Sequence, residues 1–389
     1  ILARWEYGKL VHKGNVGTGF DAELMDDLAK RFAKLEQDKP ALEIDRAAAR
    51  RVRWLKPELV AEVAFAEFTA TGSVRHASFI GLRSDKPARE VQPERKAPAP
   101  KPESAIKISN RDRVLFPESK ATKGDLADYY VQLAPLILPH LARRPLSLVR
   151  CPQGRAKKCF FQKHDSGSFG EHVHHVSIRE KGGGYEDYLH VDTADGILAC
   201  VQMGTIEFHG WGCHAETLEQ PDRMVFDLDP DEELDFAAVR KAALDLRGHL
   251  SDMGLVSFAM LSGGKGVHIV VPLRPGHDWD THKDFSRRLA EAMSQAEPDR
   301  FVANMSKARR KGRIFIDYLR NQRGSTAIMP YSARAREGAP VAVPVTWEEL
   351  AEIEKANAWN IFDAEDLIER GGSAALKGWG FAEQDLPPI

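Results

Sequence analysis

Residues 223–230 read RMVFDLDP, an apolar run whose last part alternates with acids. A short alternating run of this kind reads as a β-strand. Side chains two apart in a strand share a face, so Asp227 and Asp229 point the same way, roughly 6.6 Å apart at their attachment points. Phe226 and Leu228 then point to the opposite side, into a core. Two readings stay open. In one, the acids form a turn at the strand end, with Pro230 breaking the ladder and Asp231 opening a helix. In the other they are half of a metal site, because carboxylates at this spacing can jointly hold ions about 3.5–4 Å apart. A calcium loop fails, since Glu232 stands where glycine is required and Ala238 where the final acid belongs.

The pattern around this strand alternates strands and helices. DFAAVRKAALDLRGHLSDMG reads as an amphipathic helix ended by Gly254. SFAMLSGGKGVHIVVPL reads as strand, glycine turn and strand, DTHKDFSRRLAEAMSQ as a helix, and GRIFIDYLR and STAIMPYSA as further strands. KGDLADYYVQLAPLILPHL reads as helical apart from its late proline. Together these predict an α/β or α+β domain around a central mixed or antiparallel sheet.

Residues 94–104, ERKAPAPKPES, hold three prolines, five charges and no large apolar side chain. Such a stretch cannot bury a core and reads as an extended linker. It divides the chain into a first body at 1–92, a linker at 93–105 and a second body at 106–389. In the first body, RWEYGKLVHKGNVGTGF has strand formers followed by glycine-rich turns, and ELMDDLAKRFAKLE puts Leu24, Leu28, Phe32 and Leu35 on one helical face. LVAEVAFAEFTATGSVRHASFIGLR returns to strands. A small β-barrel with one helix fits.

With 389 residues, 43% of them hydrophobic, the chain is long enough for two or three cores. Its 55 basic and 57 acidic residues nearly cancel, so net charge names no partner, but the basic residues are clustered. The four cysteines, Cys151, Cys159, Cys200 and Cys213, form no CxxC pair and do not suggest a zinc site or a disulfide scaffold. A reducing cytosol is the simplest reading. No run of 18 apolar residues predicts a membrane span. The absence of an initiating methionine suggests a fragment of a longer protein.

Asp317 lies in RIFIDYL, where an acid in an apolar strand calls for a partner. A salt-bridged structural acid is one reading. The other adds it to Asp227 and Asp229 as a ligand set for hard cations such as Mg²⁺ or Mn²⁺. LSGGKGVH (261–268) joins two strands. It is either a simple hairpin or a phosphate cradle in which backbone N–H groups, Lys265, Ser262 and His268 receive a triphosphate. It is not a Walker loop, because the spacing is wrong and a strand follows. His209 in TIEFHGW fits a core histidine as well as a ligand, and Arg334 in PYSAR fits a solvated cation. SKARRKGR (306–313) carries five basic residues just before the Asp317 strand, suited to nucleic-acid phosphates. Arg113 and Lys123 precede a helix whose N-terminus favours an anion. Phe160 and Phe161 lie among Lys157, Lys158, Lys163 and His164, a composition suited to stacking on bases or to a core with a basic rim. The histidines of HVHHV (172–176) read as a surface strand.

In this order, DRVLFP…TKGDLADYY, FFQKH, TIEFHGW, VFDLDP, SGGKGVH, IFIDYLRN and PYSAR resemble the polymerase domain of bacterial DNA ligase D, a branch of the archaeo-eukaryotic primase superfamily. The resemblance covers about 106–372. It implies that Asp227, Asp229 and Asp317 are metal-binding catalytic acids, and that His209, Ser262, Lys265, His268 and Arg334 bind the nucleotide. It further implies that Arg113 and Lys123 receive a DNA 5′-phosphate, with Arg113 where many relatives have lysine, and that Phe161 and Phe160 stack on the template side. The first body resembles the OB-fold domain of the same family's ligase module through GNVGTGF and RHASFIGLRSDK. Within it Arg83 and Lys86 of RSDK match the C-terminal motif that orients ATP phosphates. The nucleotidyltransferase domain with its adenylated lysine has no counterpart here, so the chain alone is not expected to ligate; its order suggests ligase first, polymerase last.

What the resemblance implies is two-metal addition of nucleotides, preferentially ribonucleotides with Mn²⁺, to 3′ ends at breaks and gaps in non-homologous end joining. It also implies Ku and double-stranded DNA ends with a 5′-phosphate as partners, ATP for the parent ligase module, and a cytoplasmic, nucleoid-associated location. A DNA end-binding module without chemistry and an accessory piece of the ligase are the alternatives.

Overall fold

A computed structural model describes residues 1–6, 9–42, 52–64, 67–68, 74–75, 77–83, 87–88, 104–165, 167–180 and 182–387. The chain forms two compact units, residues 1–99 and 100–389. Most of the expected linker, and Lys86, lie outside the described residues.

In the first unit Leu2–Glu6 pairs antiparallel with Lys9–Gly14. Val16–Thr18, Ala77–Arg83 and Val60–Ala64 make a three-stranded sheet with the Ala77–Arg83 strand in the middle. The expected helix runs from Ala22 to Ala33, and the Asp21 carboxylate caps it by accepting the Leu24 N–H at 2.8 Å. It stops before Leu35, and Leu28 is its buried contact. Phe20 stacks on Phe79 at 5.0 Å between ring centroids. Among the described residues these strands pair in small sheets beside the one helix, in keeping with the small β-rich domain expected.

The second unit is built on two sheets. The strands of these two sheets are β1 (Leu146–Arg150), β2 (Phe160–Gln162), β3 (Thr205–Gly210), β4 (Arg223–Pro230), β5 (Phe258–Leu261), β6 (Val267–Pro272), β7 (Phe301–Val302), β8 (Ile314–Asp317), β9 (Ala327–Ile328) and β10 (Val343–Val345). One sheet has the order β2-β1-β3-β9 and is antiparallel throughout. The other has the order β7-β8-β4-β6-β5-β10 and is antiparallel except for the parallel β7–β8 pair, a mixed sheet as expected. β4 is therefore interior. This is why RMVF is wholly buried while the strand ends in acids.

The helices cover these sheets. Lys123–Leu141 begins with a capping box in which the Thr122 hydroxyl accepts the Asp125 N–H and the Asp125 carboxylate accepts that of Thr122. It continues through both Pro135 and Pro139 to Leu141, further than the proline at 139 suggested. Both prolines forfeit a ladder bond, and burial of Leu133, Ile137 and Leu141 against the core offsets that loss. Phe236–Asp252 and Trp279–Ala296 start at Asp235 and Asp278, each accepting a backbone N–H in the first turn. One continuous apolar core runs through the unit, from Phe116, Tyr130 and Phe208 to Phe226, Ile269 and Ile316.

Three local expectations need correction. STAIMPYSA yields only the two-residue β9, because the chain turns at Met329–Ser332. The strand in the histidine-rich stretch is His174–Arg179, paired with Tyr185–His190. Cys151 and Cys159 form a disulfide, so the reading of reduced thiols fails there. The chain turns back between them and brings their Cα atoms to 4.4 Å. Cys200 and Cys213 are free and buried. Among the described residues no helix is long and apolar enough to cross a membrane.

Candidate active site

The register of the mixed sheet assembles one row of polar side chains. Asp227 on β4 lies directly opposite Asp317 on β8 and, on its other side, opposite His268 on β6. Directly paired residues present their side chains to the same face. Asp317, Asp227 and His268 thus form a row across three strands, and Asp229 extends it along β4. The other face carries Leu228, Ile316 and Val267, all buried. The acids are at the sheet surface because the alternate positions are what anchor the strand.

Charge decides how these carboxylates are held. Asp227, with a side chain only 15% exposed, meets the His268 Nε2 at 3.3 Å and the Arg320 Nη2 at 3.1 Å. Burial by itself would raise its pKa, but His268, Arg320 and Arg334 outweigh burial and hold the carboxyl well below the usual range. Arg320 also pairs through Nε with Asp317 at 3.2 Å. Asp317 is pushed up by burial and by the Asp227 charge, against the pull of Arg320. Asp229 is pushed up by burial and Asp227 as well, and Arg310 donates to it from Nη1 at 3.1 Å. The Arg310 guanidinium also lies over the Phe315 ring, 3.9 Å from its centroid.

Three carboxylates on one face are a donor set suited to hard cations. In this arrangement guanidinium groups supply the positive charge. Among the described residues no three His, Cys, Asp or Glu side chains converge closely enough to hold one ion. The three acids expected as metal ligands stand here as an arginine-held row. Two opposed acids repel, and each turns to the nearest cation.

Arg320 and its neighbour escaped the sequence reading. β8 ends at Asp317, yet Val225 on β4 still has a free edge. Asn321, 1% exposed, fills it: its Oδ1 accepts the Val225 N–H at 2.7 Å and its Nδ2 donates to the Val225 carbonyl at 2.8 Å. A side-chain amide replaces the missing strand residue and pins the Leu319–Asn321 turn beside the acids. IFIDYLRN contains both residues, but only the fold shows that the turn returns them to β4.

The 262–266 turn is built from its glycines. A Cβ on Gly266 would meet the Leu228 carbonyl at 2.3 Å, and Gly263 has φ +66° with Val341 packed against it. The Ser262 hydroxyl accepts the N–H groups of Gly264 and Gly266, both at 3.3 Å, which leaves its own proton for another acceptor. Lys265 pairs with Glu232 at 3.4 Å, with both side chains exposed. Arg334 donates to the Ser262 carbonyl and pairs with Glu207 at 3.2 Å. His209 donates from Nε2 to the same Glu207 at 2.7 Å. Phe161 meets the His209 ring edge-on at 5.7 Å between centroids. The two sheets thus bring His209, Ser262, His268 and Arg334 to one region beside the acids.

Phe160 and Phe161 are 40% and 66% exposed on the edge strand β2. They are not core residues. Arg113 donates to the Pro152 carbonyl at 2.8 Å. Lys123 is only 5% exposed, and its ammonium donates to the carbonyl and side-chain oxygens of Gln202 at 2.8 and 2.9 Å. Burial, followed by the charge of Arg113, lowers its pKa. Gln202 is a third residue that the motifs do not single out. Arg83, at the end of its strand, pairs with Glu62 at 3.8 Å.

Comparison with known proteins places this geometry. The family model for the LigD primase-polymerase domain matches residues 122–374, and that for the C-terminal region of ATP-dependent DNA ligases matches residues 1–86. The chain belongs to the LigD primase-polymerase family. A LigD from Pseudomonas aeruginosa, described as a multifunctional non-homologous end joining protein, is 38% identical over 92% of the chain and 44% of its own length. The LigD of Mycolicibacterium smegmatis is 34% identical over 64% of the chain and 33% of its own length. The chain therefore spans less than half of these LigD relatives. The polymerase domain of Mycobacterium tuberculosis ligase D, solved in complex with DNA, superposes with a TM-score of 0.65 at 30% identity, over 70% of this chain and 97% of that one. The LigD match and the two-sheet unit agree with the resemblance read from the ordered motifs.

Proposed function

We propose that the second unit extends DNA 3′ ends with nucleotides, preferentially ribonucleotides, at breaks and short gaps in non-homologous end joining. The observation that carries this reading is the Asp317–Asp227–His268 row, set beside Ser262, His209 and Arg334. Asp227, Asp229 and Asp317 would hold divalent metal, Mn²⁺ or Mg²⁺, which when bound would supply activation of the 3′ hydroxyl and neutralisation of the triphosphate. Arg320 and Arg310, which pair with these acids, would compete with such ions for the carboxylates, and any guanidinium displaced would face phosphate oxygens. The nucleotide phosphates are received by the N–H groups and Ser262 hydroxyl of the glycine turn, with Lys265, His268, His209 and Arg334 as cationic or donor partners. Phe161 and Phe160 stack on template bases. Arg113 and Lys123 receive a downstream 5′-phosphate, with Lys123 turning away from Gln202. Positioning and charge neutralisation provide most of the acceleration.

The division into residues 1–92, 93–105 and 106–389 is part of the same proposal. The first body serves, with Arg83 and Lys86, in an ATP-dependent ligase module of the parent protein. Ku is the expected partner at the break, and the cytoplasm, at the nucleoid, the expected location.

Extension of a gapped primer–template with a downstream 5′-phosphate, with ribonucleotides and Mn²⁺, tests the reading. Wild type extends and Asp227→Ala does not. Equal extension by both sinks the metal assignment. DNA binding by both without extension favours an end-binding module instead.

A further inference from the structure

We propose that Glu207 is a positioning residue of the nucleotide site, a single buried carboxylate that sets the orientation of both His209 and Arg334 toward the triphosphate. This rests on the polymerase reading, which makes those two residues nucleotide ligands. Glu207 lies two residues before His209 on β3, so both side chains leave the same face. Val149 on β1 is paired with both Glu207 and Phe161, which puts the exposed phenylalanine on that face as well.

Each oxygen of Glu207 is committed. Oε2 accepts from His209 Nε2 at 2.7 Å and from Arg334 Nε at 3.2 Å, and Oε1 accepts the Ala335 N–H at 2.7 Å. The residue is 6% exposed, so little of this charge is screened by water. Because His209 Nε2 donates to the carboxylate, Nδ1 is the ring nitrogen left for a ligand. Burial lowers the His209 pKa and the Glu207 carboxylate opposes that only in part, so Nδ1 of the neutral ring faces the site as an acceptor, and it donates to a phosphate oxygen when the incoming anion brings a second proton to the ring. Arg334 is tied at Nε by Glu207 and at Nη1 by the Ser262 carbonyl, which leaves its Nη2 edge to meet an anion. One carboxylate thereby links β3, the glycine turn and the segment at 333–335. A guanidinium released from it would sample many rotamers, and small misplacements at a reacting phosphate are costly.

The test compares wild type, Glu207→Gln and Glu207→Ala in the full chain. Glu207→Gln keeps the volume and an oxygen for the Ala335 N–H but removes the charge. The readouts are nucleotide KM and kcat in gap extension, affinity for a fluorescent ATP analogue with Mn²⁺, affinity for gapped DNA, and the melting temperature. Glu207→Ala is expected to weaken KM and analogue affinity roughly 10- to 100-fold, as for loss of a buried charged hydrogen-bond partner. Glu207→Gln should fall between, with gapped-DNA affinity unchanged for both. If the melting temperature drops while KM and analogue affinity stay at the wild-type value, Glu207 is only a structural ion pair and the proposal falls. Should Glu207→Ala fail to fold, a cycle decides. Glu207→Gln added to a His209→Ala, Arg334→Ala background changes analogue affinity no further if Glu207 acts through those two, and a full additive loss overturns it. A wild-type chain that neither extends nor binds the analogue breaks the polymerase reading itself. Wild-type extension with unaltered variants breaks this inference alone.

Discussion

Asp227 on the mixed sheet and Glu207 on the antiparallel sheet are held by the same kinds of residue. Each has a histidine and an arginine on its carboxylate, His268 and Arg320 for Asp227, His209 and Arg334 for Glu207. In both, these hydrogen-bond and charge partners outweigh burial and lower the pKa, for Glu207 to about 2. The surroundings differ. Asp227 has two more acids beside it, both pushed up by burial and by its own charge. Its arginine is shared with Asp317 and is partly exposed. Glu207 completes its set with a backbone N–H instead. The first arrangement concentrates more negative charge than its arginines settle, and invites further cations. The second is closed and works as a brace. Similar pairings serve two roles according to what surplus charge remains.

The largest expected effect tests the open row. Asp227→Ala should lower gap extension by at least about 10³-fold, as loss of a group acting on the reacting phosphates does, while binding of gapped DNA measured by anisotropy stays intact. The closed brace is next. Glu207 has a folded pKa near 2 against an ordinary 4.5. Its contribution is complete above pH 4.5 and is lost as pH falls toward 2. By linkage that amounts to about 3 kcal/mol at most. Urea unfolding between pH 2 and 5 should show a shallower acid limb for Glu207→Gln than for wild type; identical limbs would mean the brace carries no net charge stabilisation.

Smaller effects sharpen the contrast. Removing Arg320 leaves Asp227 and Asp317 opposed. Arg320→Ala should cost about 1–2 kcal/mol in stability, tempered by its partial exposure. Added Mn²⁺ should recover more melting temperature in this variant than in wild type. Equal recovery would mean that Arg320 does not compete with the ion. Phe161→Ala should weaken gapped-DNA affinity roughly tenfold, within the range for one lost base stack. Arg83→Ala, in the first unit, should leave gap extension within about twofold of wild type, since surface substitutions away from a site change little.

Sequence legibility followed the same division. VFDLDP and IFIDYL stood out because acids in apolar strands contradict their surroundings, and strand periodicity already put Asp227 and Asp229 on one face. SGGKGVH stood out through its glycines. Glu207 did not, because TIEFHGW drew attention to the histidine, and a single glutamate in a strand is ordinary. Arg320, Asn321 and Gln202 were missed for another reason. Their partners lie 93, 96 and 79 residues away along the chain, and no local pattern encodes a contact of that span. The sequence sets Lys123 at a helix start that favours an anion, and packing of that start against Gln202 buries it.

By itself the sequence determined the element types, the order of the motifs and which side chains are candidates for the chemistry, because periodicity and turn residues act within a few positions. The tertiary structure alone decided the partners. Antiparallel register set Asp317 and His268 on either side of Asp227, and the turn after β8 delivered Arg320 to both acids. The pairing of β1 with β2 and β3 put Glu207 and Phe161 on one face, and Arg334 reaches Glu207 from 127 residues away. Electrostatic energy depends on distances between charges, and only folding fixes those distances.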